Sequence, residues 1–179
     1  MSRVTILVGS MRRNGNTDLL ARSFADGASE NNDVEIISVA DYKVNPCIGC
    51  NACRKNENGR CFQNDDMDKI YNKLKTTDIL VIASPVYFYG LSAQLKAIID
   101  RFHAPVRNEF RIKKLGLLLV GADDIPELFD SIKAQYKLTL NYFNLENIGS
   151  VTVGGAEEKG EIEKTDGLQR AFELGKSLK

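Results

Sequence analysis

The sequence lacks most of what would point to a large charged or membrane partner. Lys plus Arg and Asp plus Glu stand at 24 each, so no net charge recommends nucleic acid or anionic lipid. No apolar run approaches the roughly 20 residues needed to cross a bilayer. The start, MSRVTILVGS, reaches glycine and polar residues too soon for a signal peptide, so a cytoplasmic location is expected. Repeats, low-complexity tracts and linker-like boundaries are missing too. A single domain over residues 1–179 is therefore expected, and that length is enough to enclose a core. Histidine is scarce: His103 stands alone. Cysteine is absent except in one place, where Cys47, Cys50, Cys53 and Cys61 crowd into a segment at about 45–64.

What is present is an alternation of short apolar runs and helix-period segments, in a chain of ordinary composition, 43% apolar and 27% charged. The runs VTILVGS (4–10), VEIISV (34–39), DILVIASP (78–85), LGLLLVG (115–121) and SVTVGG (150–155) read as strands buried on both faces. Between them, residues 17–28 read as a helix with Thr17 as cap and Asp18 at its positive end. Asp65 and Asp66 open a second helix carrying Met67, Ile70, Tyr71 and Leu74. Leu91, Leu95, Ile98 and Phe102 mark a third, and Leu128, Ile132, Tyr136 and Leu140 a fourth, with Pro126 near its start. Leu168, Ala171, Phe172 and Leu178 suggest a closing helix. Five such strands with right-handed crossovers make an α/β doubly wound parallel sheet with helices on both faces. Ligands of such sheets sit outside the carboxyl ends of the strands. The segments that follow strands therefore matter most.

The first of these, GSMRRNGNT (9–17), combines hydroxyl and amide side chains with two arginines at a helix amino terminus, which suits an anion. It has no Gly-Lys-Ser/Thr and no GxGxxG, which disfavours nucleoside triphosphates and a tightly bound NAD. A phosphate monoester remains, beside the simpler reading of a well-capped turn. The second, SPVYFYG (84–90), sets three aromatics and a glycine at the end of the central strand. It suits either a flat apolar ligand or a subunit contact. In the third, GADD (121–124), Gly121 leaves room, and Asp123 and Asp124 are expected to cap the following helix.

The cysteines are spaced C-x2-C-x2-C-x7-C, with the turn signal Asn58-Gly59 before the last. That spacing fits a compact polynuclear iron–sulfur centre. Cys50 and Cys53 also form a C-x-x-C that could cycle between dithiol and disulfide. Structural zinc more often joins two separated pairs.

The pattern Gly-Ser-x-Arg-x-x-Gly-Asn-Thr, the SPVYFYG segment and the run PCIGCNAC followed by Cys61 together resemble the flavodoxin-like NAD(P)H-dependent FMN reductases, in their iron–sulfur flavoprotein branch. The resemblance covers most of the chain. It implies a flavodoxin-like five-stranded sheet of order 2-1-3-4-5, with FMN as cofactor and NAD(P)H as electron donor. The FMN phosphate is then expected at Ser10, Arg12, Asn16 and Thr17, with Asn14 in the same loop. Pro85, Val86, Tyr87, Phe88 and Gly90 would meet the ring, with Gly121 beside it. Cys47, Cys50, Cys53 and Cys61 become candidate ligands of a [4Fe–4S] cluster. No side-chain catalyst is implied, because the flavin's N5 carries the chemistry. His103, at the end of the third helix, is expected to suit the helix dipole rather than to act. Arg107, Arg111, Lys113 and Lys114 are expected to form a solvated face at the opposite end of the sheet. Arg12, Arg13, Arg54 or Arg60 are better placed for a 2′-phosphate of NADPH. The electron acceptor stays open among quinones, metals, azo compounds and proteins. A homodimer or homotetramer is implied. Two other functions remain in view: an FMN and iron–sulfur carrier reduced by ferredoxin, and a non-enzymatic thiol redox sensor.

Overall fold

A run such as VTILV has only the Thr5 hydroxyl as a polar side chain, so its backbone is satisfied only between neighbouring strands under cover on both faces. The computed structural model, which describes residues 1–179, meets that demand with one sheet. Its strands are β1 (Arg3–Val8), β2 (Asp33–Ser38), β3 (Ile79–Tyr87), β4 (Gly90–Leu91), β5 (Lys114–Val120) and β6 (Glu146–Val153). The five long strands are parallel in the order β2-β1-β3-β5-β6, with Val4 level with both Val34 and Ile79. Counted over long strands alone, this is the expected 2-1-3-4-5. The addition is β4, two residues folded back antiparallel on the end of β3.

Helices α1 (Asn16–Ala28), α2 (Met67–Leu74), α3 (Ala93–Asp100), α4 (Asp130–Phe143) and α5 (Gly167–Lys176) cover both faces. Strand residues alternate between two cores. Val4, Ile6 and Val81 point to α1 and α5, while Leu7, Leu80 and Ile82 point to α2, α3 and α4.

Several boundaries differ from the sequence reading, each for a local reason. Thr17 lies inside α1 and does not cap it. Gly15 occupies the cap position without a side-chain bond, and Asp18 reaches back to accept from the Asn14 N–H at 2.8 Å. Leu91 belongs to β4, and Ser92 caps α3. Asp123 and Asp124 do not cap α4, which is entered through a 3₁₀ turn at Pro126–Phe129 with no side-chain cap. The Asp123 carbonyl instead accepts from the Gly155 N–H at 3.0 Å. β6 begins at Glu146, four residues before the expected 150, because its polar first half sits on an edge. A register shift at Leu115/Gly116 also breaks the pattern there.

The first and last helices touch through glycine. A Cβ on Gly27 would lie 2.1 Å from the Phe172 carbonyl oxygen, and one on Gly175 would lie 2.2 Å from that of Phe24. Both neighbours are backbone, so neither can rotate away. Gly27→Ala is therefore expected to destabilise the fold by about 1–3 kcal/mol through overpacking, despite the roughly 1 kcal/mol that alanine gains in helix propensity. Urea unfolding checks this. An unchanged or raised midpoint would show that the helices separate without cost.

Candidate functional site

At the carboxyl ends of the strands, segments distant in sequence enclose a cleft of about 220 Å³. Ser10, Arg12, Asn16 and Thr17 come from the loop after β1 and the start of α1. Pro85, Val86 and Tyr87 close β3, and Gly121 follows β5. These residues fit an aromatic phosphate ester. The first turn of α1 leaves N–H groups without helical partners, and Pro85 and Val86 give an apolar wall. Buried hydroxyls lock the walls together. Ser92 Oγ donates to the Gly9 carbonyl at 2.7 Å, and Ser84 Oγ accepts from the Ser92 N–H at 3.1 Å. Ser10 Oγ accepts from the Arg12 N–H at 3.1 Å, shaping the loop from within.

Three of the expected residues do not line this cleft. Asn14 is exposed, in the left-handed region at φ 52°. Phe88 and Tyr89 form the two-residue tip between β3 and β4 with φ of 51° and 61°, a conformation that favours Asn and Gly. Phe88 is fully exposed at that tip, and Gly90 pairs with Tyr87. A fourth segment went unforeseen: Ala156, Glu157 and Lys159, after β6, complete the lining. Its signal was weak, since a polar loop after an edge strand looks like any surface loop.

The candidate arginines for a nicotinamide 2′-phosphate are mostly engaged. Arg13 pairs with Asp41, Arg60 with Asp68, and Arg54 donates to His103 Nε2 at 3.1 Å. Arg12 alone among them lines the cleft. His103 follows α3 and lies away from the cleft. Arg107, Arg111 and Lys114 sit near the amino ends of the strands as expected, but they are held locally. Arg107 donates to the His103 carbonyl at 2.8 Å, Arg111 pairs with Asp78 at 3.0 Å and Lys114 with Glu146 at 3.3 Å. A larger apolar groove of about 420 Å³ also lies at that end, between α3 and α4, among Ile99, Phe102, Tyr142 and Phe143. It touches none of the loops that follow strands.

The cysteine segment is an Ω-like loop with a closed neck. The Lys43 N–H donates to Asp66 at 2.8 Å, and the Asn45 N–H to Asp65 at 2.9 Å. Asp65 pairs with Arg101, and both side chains are almost fully buried. Burial opposes the Arg101 charge, but the hydrogen bond and attraction of Asp65 more than offset it, so the guanidinium is held charged. Tyr71 donates to the Arg101 carbonyl at 2.8 Å. Burial pushes that phenol up to about 12, with Arg101 nearby pulling the other way. Farther out, the Gly59 carbonyl accepts from the Val106 N–H at 3.2 Å. Within the loop Cys47 and Cys50 are exposed, and Cys53 and Cys61 are half-buried. All four are free thiols, and no three His, Cys, Asp or Glu side chains converge as a metal site. The donor chemistry suits an iron–sulfur centre; the arrangement does not bring the thiols together.

Comparison with known proteins fixes the class. Residues 2–156 match the model of the NADPH-dependent FMN reductase family. An iron-sulfur flavoprotein of Methanocaldococcus jannaschii is 37% identical over 98% of this chain and 95% of its own length. Another, of Methanosarcina thermophila, is 30% identical over 98% of this chain and 93% of its own. Among solved structures, NAD(P)H:quinone oxidoreductase from Methanothermobacter marburgensis superposes with a TM-score of 0.77 at 17% identity, covering 99% of each chain. The chain belongs to the NADPH-dependent FMN reductase family of oxidoreductases, in its iron–sulfur flavoprotein branch. No helix in it is long and apolar enough to cross a membrane.

Two outcomes follow from the neck. Arg101→Met leaves Asp65 buried without its cation and is expected to cost about 3–5 kcal/mol, with faster hydrogen exchange across residues 46–64. Unchanged exchange there would show that the pair does not hold the loop. The Tyr71 pKa gives a pH dependence. The unfolded phenol ionises near its ordinary 10.0, while the folded one keeps its proton to about 12. The folded state thus holds a proton that the unfolded chain releases. Its stability contribution is fully present below the unfolded value and is lost as pH rises through the folded one. Tyr136, raised by burial, acts in the same direction. Denaturation midpoints should therefore fall through this alkaline window, and less steeply in Tyr71→Phe.

Proposed function

We propose that FMN binds in the cleft at the carboxyl ends of the strands, accepts reducing equivalents from NAD(P)H and passes them to a small-molecule or protein acceptor. The observation that carries this reading is convergence. Ser10, Arg12 and Thr17, Pro85 to Tyr87, and Gly121 come from three separated segments and line one cleft. Arg12 and the first turn of α1 hold the phosphate, and Pro85 and Val86 exclude water from one face of the ring. Bound FMN supplies the electron-transfer chemistry, so none of the surrounding side chains has to act as nucleophile or base.

The four cysteines are proposed as ligands of an iron–sulfur cluster. Soft thiolates suit iron–sulfur centres, and the relatives named above are iron-sulfur flavoproteins. Three positive-φ residues, Gly49, Asn51 and Gly59, bend the loop sharply.

Anaerobically purified chain is expected to contain FMN at about one per chain, and iron and sulfide near four per chain. Failure to bind FMN after reconstitution would sink the first proposal. Flavin without iron after anaerobic reconstitution would sink the second and leave the first intact. Steady-state oxidation of NADH and NADPH with a quinone or ferric acceptor then tests the donor. Absence of turnover with both would favour a carrier reduced by another protein.

A further inference from the structure

Residues 154–162 follow β6, and Ala156, Glu157 and Lys159 among them line the cleft; most of the segment falls beyond the stretch that matches the family model, which ends at residue 156. One side chain organises them. Asn16 Nδ2 donates to the carbonyls of Ala156 at 3.0 Å and Glu158 at 2.8 Å. Its Oδ1 accepts from the N–H groups of Gly160 at 2.9 Å and Ile162 at 3.4 Å. Both donors and both acceptor positions of the amide are thereby used. Asn16 is 8% exposed, so water competes poorly for these bonds. The Glu161 carboxylate tightens the same turn by accepting from the N–H groups of Glu157 at 3.1 Å and Glu158 at 2.9 Å.

The wrapped loop brings Lys159 to the same cleft as Arg12, from the far end of the sequence, with Glu157 beside it. Nearby cations elsewhere are neutralised: Arg13 pairs with Asp41, and Lys164 with Glu161. Arg12 and Lys159 are left without an intramolecular carboxylate partner. Two free cations around one small cleft, opposed by a single carboxylate, suit a dianion better than a neutral ligand.

We propose that Lys159 is a specificity-determining residue that recognises the phosphate of the flavin, and that Asn16 is the positioning residue holding Lys159 in place. This rests on FMN occupying the cleft. Asn16 was expected among the phosphate ligands, but its amide has no hydrogen-bonding capacity left, so its part is geometric. Riboflavin carries the same ring without the phosphate. The two cations therefore separate the two flavins, while Pro85 and Val86 treat them alike.

The test is titration of the full chain with FMN and with riboflavin, followed by flavin fluorescence. Lys159→Ala is expected to weaken FMN by about fivefold or more, in the range of one charge-assisted hydrogen bond, and to leave riboflavin unchanged. Lys159→Arg is expected to keep most of the FMN affinity. Asn16→Asp loses both donors and should show the same selective loss for FMN, with faster tryptic cleavage after Lys159. Should Asn16→Asp fail to fold, the Lys159 variants decide alone. An FMN affinity unchanged by Lys159→Ala, or an equal loss for both flavins, overturns this inference and leaves the FMN reading standing. A wild-type chain that binds neither flavin overturns both.

Discussion

Burial of the sheet on both faces is the constraint from which the remaining structure follows. Leu7, Leu80 and Ile82 on one side and Val4, Ile6 and Val81 on the other are sealed beneath helices, so the central strands present no open face, while the edge strands β2 and β6 are partly exposed. Chemistry is confined to their ends. All β–α connections of a right-handed doubly wound sheet emerge at one end, and the polar segments at 9–17, 84–90 and 121–125 have to meet there. The cleft is thus a product of topology before it is a product of particular side chains. The side chains then refine it: Ser84 and Ser92 tie two of the loops together with short bonds in a water-free setting.

The cysteine loop obeys a different rule. It is long, polar and poor in apolar anchors, so its own side chains cannot hold its shape. The buried Asp65–Arg101 pair closes its base and joins it to the end of α3. Ser92, at the start of the same helix, is bonded to the loop after β1 through Gly9. One short helix therefore fixes the spacing between the neck of the thiol loop and the cleft at the strand ends.

The fold was legible because five strands with β-branched or leucine-rich runs leave little ambiguity of period. β6 was legible only in its second half, where Val151 and Val153 are buried; its polar edge half, Glu146 to Gly149, carries no alternating signal. The site was legible where a loop follows a strong strand, as with Ser10, Arg12, Pro85 and Gly121. It was obscure where tertiary contacts set the role. Asn16 reads as a phosphate ligand in a linear sequence, and only the fold shows its amide taken up by backbone 140 or more residues away. Phe88 reads as a ring contact, but the hairpin with β4 turns it outward. The four thiols are adjacent in sequence, and adjacency alone does not bring them to one point.

The close glycine contact between α1 and α5 has a temporal consequence. α1, whose first turn lines the cleft, is synthesised well before α5, the helix packed against it. Until residues near 160 to 175 emerge from the ribosome, α1 lacks its clamp and the loop that wraps Asn16. The sheet's first strands can pair early, but the cleft is complete only once Ala156, Glu157 and Lys159 have joined its lining.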